Sequence, residues 1–181
     1  MTNKETLLLS KLQKPNLKNE GFKELISLYK ERLYWHIRHI VKSHEDADDV
    51  LQNTFIKVFK NIDKFKGESQ LYSWLYRIAT NESLTHLKQI AKRQQITSEE
   101  ANNNALRSLE SDVYFEGDTI QIKLQKAIAT LPEKQQLVFN MKYFQDLKYS
   151  QISNILDTSE GALKASYHLA VKKIEAYLTK D

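Results

Sequence analysis

Few residues in this chain could do chemistry, and their spacing limits which chemistry is open to them. The segment KFKGESQLYSWLYRIATNESL, residues 64–84, sets Trp74, Arg77 and Asn81 three and four positions apart. On a helix they share one border of the apolar face. An indole, a guanidinium and an amide in a row match a platform for a single-stranded base: the ring stacks, the amide reads an edge, the cation meets a phosphate. The plainer alternative, a border Trp covered by an arginine stem, stays open on the pattern alone. Covalent and metal chemistry find less support. The absence of cysteine excludes disulfides, thiolate metal sites and a thiol nucleophile together. Of the five histidines (36, 39, 44, 86 and 168), only His36 and His39 fall at helical spacing, with no carboxylate at a partner position. They read as two surface histidines on a long helix. The expectation is no enzyme: no catalytic residue, no metal, no cofactor and no small-molecule substrate.

The elements that must position these residues read as helices. Only four glycines and two prolines interrupt 181 residues, and 41% hydrophobic content suffices for a core. No run approaches the roughly 18 apolar residues of a membrane span, and the start MTNKETLLLSKLQKPN is too short in its apolar part for a secretory signal. These features suggest a cytoplasmic protein. Phe22, Leu25, Ile26, Tyr29, Leu33, Ile37 and Ile40 follow the three-and-four spacing of one buried helix face. SHEDADD then breaks that helix and starts another, because acids in a first turn suit the helix dipole. Ala47, Val50, Leu51, Thr54, Phe55, Val58 and Ile62 form its buried stripe, and a third helix runs from near Ser69 to about Ala91. In that third helix Leu71, Leu75 and Ile78 point inward, with Tyr72 and Tyr76 on one side of the apolar arc and Trp74 half-buried on the other.

Residues 94–118 lose the period and gather Asn, Ser and acids. Residues 1–93 carry 17 Lys and Arg against 11 Asp and Glu, residues 94–118 one against six, and residues 119–181 nine against six. Two mildly basic blocks thus flank an acidic connector. The expected fold is all-α: two small helical domains, 1–93 and 119–181, joined by a flexible acidic linker, 94–118. Basic blocks suit a polyanion such as nucleic acid.

The second block makes that partner more specific. Ile120, Leu124, Ala127, Ile128 and Leu131 restore the helical period, and Pro132 suits the first turn of the next helix. Ile152, Ile155 and Leu156 mark a short helix, DTSEG a tight turn, and Leu163, Tyr167, Ala170, Val171, Ile174 and Leu178 a longer helix. Two helices joined in this way match a helix-turn-helix, whose second helix enters the major groove. Gly161, Lys164, Ala165, His168 and Lys172 fall on the opposite face, small and basic enough for close approach to a groove and its phosphates. An ordinary helical hairpin with a solvated face gives the same pattern. In the first block, Asp49, Gln52, Asn53, Ile56 and Lys60 share the face away from the core stripe, an apolar centre with a polar rim that suits a protein interface.

In this order the pieces resemble a known family. DADDVLQNTFIKVFKNIDKFKGESQLYSWLYRIATNESL, a variable tether, then LPEKQQLVFNMKYFQDLKYSQISNILDTSEGALKAS are similar to the extracytoplasmic-function sigma factors of bacterial RNA polymerase. The resemblance covers roughly residues 20–93 and 119–178. It implies a promoter-specificity subunit whose partners are core polymerase, duplex −35 DNA, single-stranded −10 DNA and an anti-sigma factor. It places Asp48, Asp49, Gln52, Asn53 and Ile56 on a helix that binds the polymerase clamp. It sets Phe65, Lys66, Gly67, Glu68 and Ser69 in a loop shaping a pocket for a flipped base, with Trp74, Arg77 and Asn81 beside it. Lys148, Tyr149, Ser150 and Gln151 would approach −35 phosphates, and Glu160, Gly161, Ala162, Lys164, Ala165, His168 and Lys172 would face the groove. Many relatives carry an arginine where Ser166 stands and a basic residue at Leu169, so −35 recognition is expected to be weaker, shifted or more apolar. The competing reading is a stand-alone helix-turn-helix regulator that binds duplex DNA as a dimer.

Overall fold

The computed structural model describes residues 3–67, 69–97, 100 and 119–179, and among them there is no β-strand. The first block holds α1 (Asn3–Leu12), α2 (Lys18–Val41), α3 (His44–Asn61), a short 3-10 turn (Ile62–Lys64) and α4 (Leu71–Gln94). The second holds α5 (Thr119–Ala129), α6 (Glu133–Tyr143), α7 (Tyr149–Leu156) and α8 (Glu160–Leu178). Most of the acidic connector lies outside the described residues. The part that is described shows α4 running through Gln94 and stopping at Gln95, which is left-handed at φ 54°.

The breaks have local causes. Lys42 closes α2 in the left-handed region at φ 65°, its N–H donating to the Arg38 carbonyl. Ser43 then caps α3, its side chain accepting from the Asp46 N–H at 3.3 Å, with Glu45 and Asp46 in the first turn. The expected first-turn Pro132 instead precedes α6, as its N-cap. With φ set by its ring, it directs the chain into Glu133 without needing an N–H of its own.

Both expected apolar stripes of the first block are buried: Leu25, Leu33 and Ile37 on α2, and Ala47, Val50, Thr54 and Val58 on α3. On α4, Leu71, Leu75 and Tyr76 are buried, while Tyr72, Trp74 and Ile78 pack half-buried against them. One residue of the expected periodic set departs from it. Ile120 is 74% exposed, because it lies at the start of α5, ahead of the Ala127–Leu131 segment that meets α6 and α8.

Two findings were not expected from the sequence. The first is α1, whose Leu8, Leu9 and Leu12 are buried against α2. Gly21 allows this approach: a Cβ there would lie 3.0 Å from Lys11 Cβ and 3.1 Å from the Leu12 amide nitrogen. Lys11 then pairs with Glu20 at 3.0 Å and Glu24 at 2.9 Å. The second is that the two blocks are packed together. Val138, Met141, Leu147, Ile152, Ile155 and Leu163 of the second block join the buried cluster of α1–α4. A smaller cluster of Ala127, Ile128, Leu131, Phe139, Ala170 and Ile174 belongs to the second block alone.

Candidate nucleic-acid interface

The helix-turn-helix is built from α7 and α8. Asp157 ends α7 in the left-handed region at φ 50°, and Ser159 caps α8 by accepting from the Ala162 N–H at 3.4 Å. One side of α8 is fixed by Leu163, Ala170 and Ile174, all buried. Glu160, Gly161, Ala162, Lys164, Ala165, His168 and Lys172 are all exposed. At Gly161 no atom lies within 4 Å of where a Cβ would stand, so the backbone there is open to close approach. At the start of α7, Lys148 and Ser150 are exposed, and Gln151 accepts from the Lys148 N–H at 2.7 Å. Two ammonium groups lie over the ring of half-buried Tyr149, Lys142 at 5.9 Å and Lys164 at 5.8 Å from its centre. Tyr149 thereby gathers cations where the two helices meet.

The residues assigned to single-stranded DNA divide between two cavities. Phe65 is buried, with its ring 5.2 Å from that of half-buried Trp74. Lys66 and Gly67 follow, exposed, with Gly67 left-handed at φ 74°. Ser69 is half-buried, and Glu68 lies outside the described residues. Phe65, Lys66 and Gly67 share a cavity of about 290 Å³ with Thr6, Leu9 and Ser10 of α1 and with Gln13 just beyond its end. Arg77 and Asn81 lie further along α4, in a groove of about 460 Å³ whose other wall is Lys134, Leu137, Ile155 and Asp157. There the Arg77 guanidinium donates to the Asn154 carbonyl in the last turn of α7.

The same junction overturns the reading of His36 and His39 as surface residues. His36 is buried at 1% exposure because the segment after α6 covers it. Gln145 donates to its Nδ1 at 3.0 Å, and its Nε2 lies 2.8 Å from Thr80 Oγ1, which itself donates to the Tyr76 carbonyl. These bonds fix a neutral ring with the proton on Nε2. Burial pushes the His36 pKa down to about 3. The half-buried His39 ring stacks on Phe144 at 4.5 Å, and its carbonyl accepts from Asn140 at 3.2 Å. Burial also lowers its pKa. Lys42, pushed down to about 8 by burial, reaches Gln136 Oε1 at 3.4 Å. Sequence periodicity marks the faces of one helix; it carries no signal that a second domain covers them.

On α3, Asp48, Asp49, Gln52 and Asn53 are exposed, with Ile56 half exposed among them. One flank of that face is tied to α4 by the Lys57–Glu82 pair and by Asp46, 2.8 Å from His86. That hydrogen bond holds the Asp46 carboxyl below its usual range. Sequence reasoning missed Thr6, Ser10 and Gln13, although their spacing of four and three sets them on one stripe beside the buried leucines.

Residues 25–93 match Sigma-70 region 2, and residues 121–174 match Sigma-70, region 4. Over 164 residues, 86% of each chain, the protein is 30% identical to the ECF RNA polymerase sigma-E factor of Haemophilus influenzae. The chain belongs to the extracytoplasmic-function sigma factors. It is also 28% identical over 166 residues to the RNA polymerase sigma-H factor of Pseudomonas aeruginosa, covering 87% of this chain and 86% of that one. Among solved structures, CnrH in complex with the cytosolic domain of CnrY aligns with a TM-score of 0.71 at 18% identity, over 98% of each chain. RpoE in complex with the anti-sigma factor NepR from Bartonella quintana aligns at 0.67 and 18%, over 90% of this chain and 99% of that one. At these identities the likeness concerns the fold. As a sigma factor, the protein acts in transcription initiation, with core RNA polymerase and promoter DNA as its partners. No helix among the described residues is long and apolar enough to cross a membrane.

Proposed function

We propose that this sigma factor divides promoter recognition between its two blocks. The Phe65–Ser69 loop with Trp74, Arg77 and Asn81 captures the melted −10 strand. α7 and α8 read the −35 duplex through Lys148–Gln151 and through the exposed face from Glu160 to Lys172. The exposed face of α3, Asp48 to Ile56, binds the polymerase clamp. The observation that carries this reading is the α8 surface: seven exposed residues, small and basic at its centre, lie opposite a side locked into the core.

Opening a promoter costs stacking, about 1.4 kcal/mol per step on average. Capture of an unstacked base in a pocket offsets part of that cost and does so selectively. Neither block need bind DNA tightly alone, because polymerase holds both at one effective concentration. The acidic composition of the connector, 94–118, keeps it from occupying the DNA sites itself. CnrH and RpoE are each held by another protein in their structures, RpoE by an anti-sigma factor; this chain is proposed to have an anti-sigma partner of its own, and to work in the cytoplasm.

The test is run-off transcription with bacterial core polymerase on fragmented source DNA, with and without the protein. Discrete new starts that share two upstream elements are expected. No new starts, together with a gel shift by the protein alone, would replace this reading with the dimeric regulator. In the same assay Ile56→Glu is expected to weaken assembly with polymerase, and undiminished assembly would reduce the α3 face to plain surface.

A further inference from the structure

None of the roles above uses α1, yet α1 is held in place with care. Three of its leucines are buried, Gly21 leaves no room for a side chain beneath it, and Lys11 makes two carboxylate pairs with α2. Such anchoring fixes the opposite side of the helix as well. Thr6 and Ser10 lie on that side and Gln13 follows just past its end, facing Phe65, Lys66 and Gly67 across the cavity of about 290 Å³, with Leu9 between.

The chemistry of this open pocket is mixed. It combines the apolar surface of Leu9 and Phe65 with a hydroxyl and an amide on one rim and the exposed Lys66 on the other. The Ser10 hydroxyl already donates to the Leu7 carbonyl at 2.7 Å, so it meets a ligand as an acceptor. Gln13 carries both a donor and an acceptor on its amide. An open pocket with an apolar floor, a hydrogen-bonding rim and one cation nearby suits the edge of a planar heterocycle attached to a phosphate.

We propose that α1 forms the second wall of the base pocket: Ser10 and Gln13 hydrogen-bond the edge of one unstacked −10 base while Lys66 meets its backbone. This inference rests on the assignment of the Phe65–Gly67 loop to the −10 strand. α1 is then a specificity element. The loop admits the base, and the helix chooses it.

The experiment uses the full chain with core polymerase and promoters carrying each of the four bases at every −10 position. Wild-type protein is expected to discriminate roughly tenfold or more at the position that enters the pocket. Gln13→Ala should flatten that preference, and Ser10→Ala should weaken it, with both variants keeping the wild-type profile at all other positions. An unchanged profile in both variants overturns the inference. So does a loss that is equal for every base and position, which would mark α1 as merely structural. Absence of initiation by the wild-type protein on every template would instead strike the −10 assignment on which the inference rests.

Discussion

The two surfaces assigned to DNA differ in what covers them. The groove face of α8 is open, with every residue from Gly161 to Lys172 on that side exposed. The Arg77–Asn81 end of α4 faces the second block, and the Arg77 guanidinium is engaged by the Asn154 carbonyl. That bond uses one of the five N–H donors of the guanidinium and holds the side chain against the end of α7. On the proposed assignments, duplex DNA meets an open face, whereas a single strand at Arg77 and Asn81 enters a groove whose other wall is the second block.

The largest expected effect comes from destroying the open face. Ala165→Glu puts a carboxylate at the centre of the groove side of α8, where phosphates repel it and its bulk prevents close approach. Initiation that depends on a −35 element should fall on the order of a hundredfold. Thermal stability should barely change, since Ala165 is exposed. Matched run-off assays and melting curves check this. Equal initiation would remove α8 from the −35 contact and the comparison with it.

The covered side should respond to acid. The groups facing His36 are Thr80 and Tyr76 from α4, Gln145 beyond α6, and His39 one turn along α2. In the closed arrangement its pKa is about 3, against 6.5 for a free ring. Above pH 6.5 neither arrangement binds the proton, and closure keeps its full stability. As pH falls below 6.5, an opened or unfolded chain takes up a proton that the closed one refuses. Closure then loses stability at up to about 1.4 kcal/mol per pH unit until pH nears 3. Energy transfer between dyes on the two blocks, followed from pH 7.5 to 5.5, should show the ratio of open to closed shift roughly tenfold. His36→Gln should flatten that slope. An identical slope in the variant would place the acid response elsewhere.

The helix pattern was legible because each block forms its helices from its own amphipathic period, and Ser43, Asp157 and Ser159 announce the turns. The α8 face was legible for the same reason, since small and basic residues opposite an apolar stripe need no partner to be recognised. The closed junction was not. His36 lies on the Leu33–Ile37 side of α2, and nothing in α2 itself reveals that Gln145, 109 positions later, covers it. α1 was hidden differently: LLLSKL looks like a scrap of apolar sequence until Gly21 shows where it lands.

A smaller effect tests how firmly the junction closes. Asn140 Oδ1 and Gln145 Oε1 are buried there without a protein hydrogen-bond partner among the described residues, although each amide nitrogen is bonded across the junction. Burial of an unpaired carbonyl costs about 1–3 kcal/mol, so separation returns part of what it breaks. Gln145→Ala removes one bond to His36 and one unpaired oxygen. The net change is expected to be about 1 kcal/mol or less, within fivefold in the open-to-closed ratio. The energy-transfer measurement at neutral pH reads it. A shift far beyond that range would show Gln145 to be the main latch and the shared apolar core a minor one.

The smallest expected effect sharpens what the open face reads. Leu169 is 49% exposed, four positions after Ala165 and eight after Gly161, so it extends the small-residue side of α8. A leucine carries no charge for a phosphate, and a thymine methyl is the apolar group that the major groove offers it. Burial of one such methyl contributes about 0.8 kcal/mol, close to fourfold in affinity. Replacement of thymine by uracil, one −35 position at a time, removes the methyl and leaves the hydrogen-bonding pattern unchanged. Wild-type initiation should fall about fourfold at one position. Leu169→Ala should already be weaker there and insensitive to the exchange, so the two losses do not add. If wild-type protein is indifferent to uracil throughout the −35 element, Leu169 is a surface leucine of the ordinary kind, and the face reads by its polar residues alone.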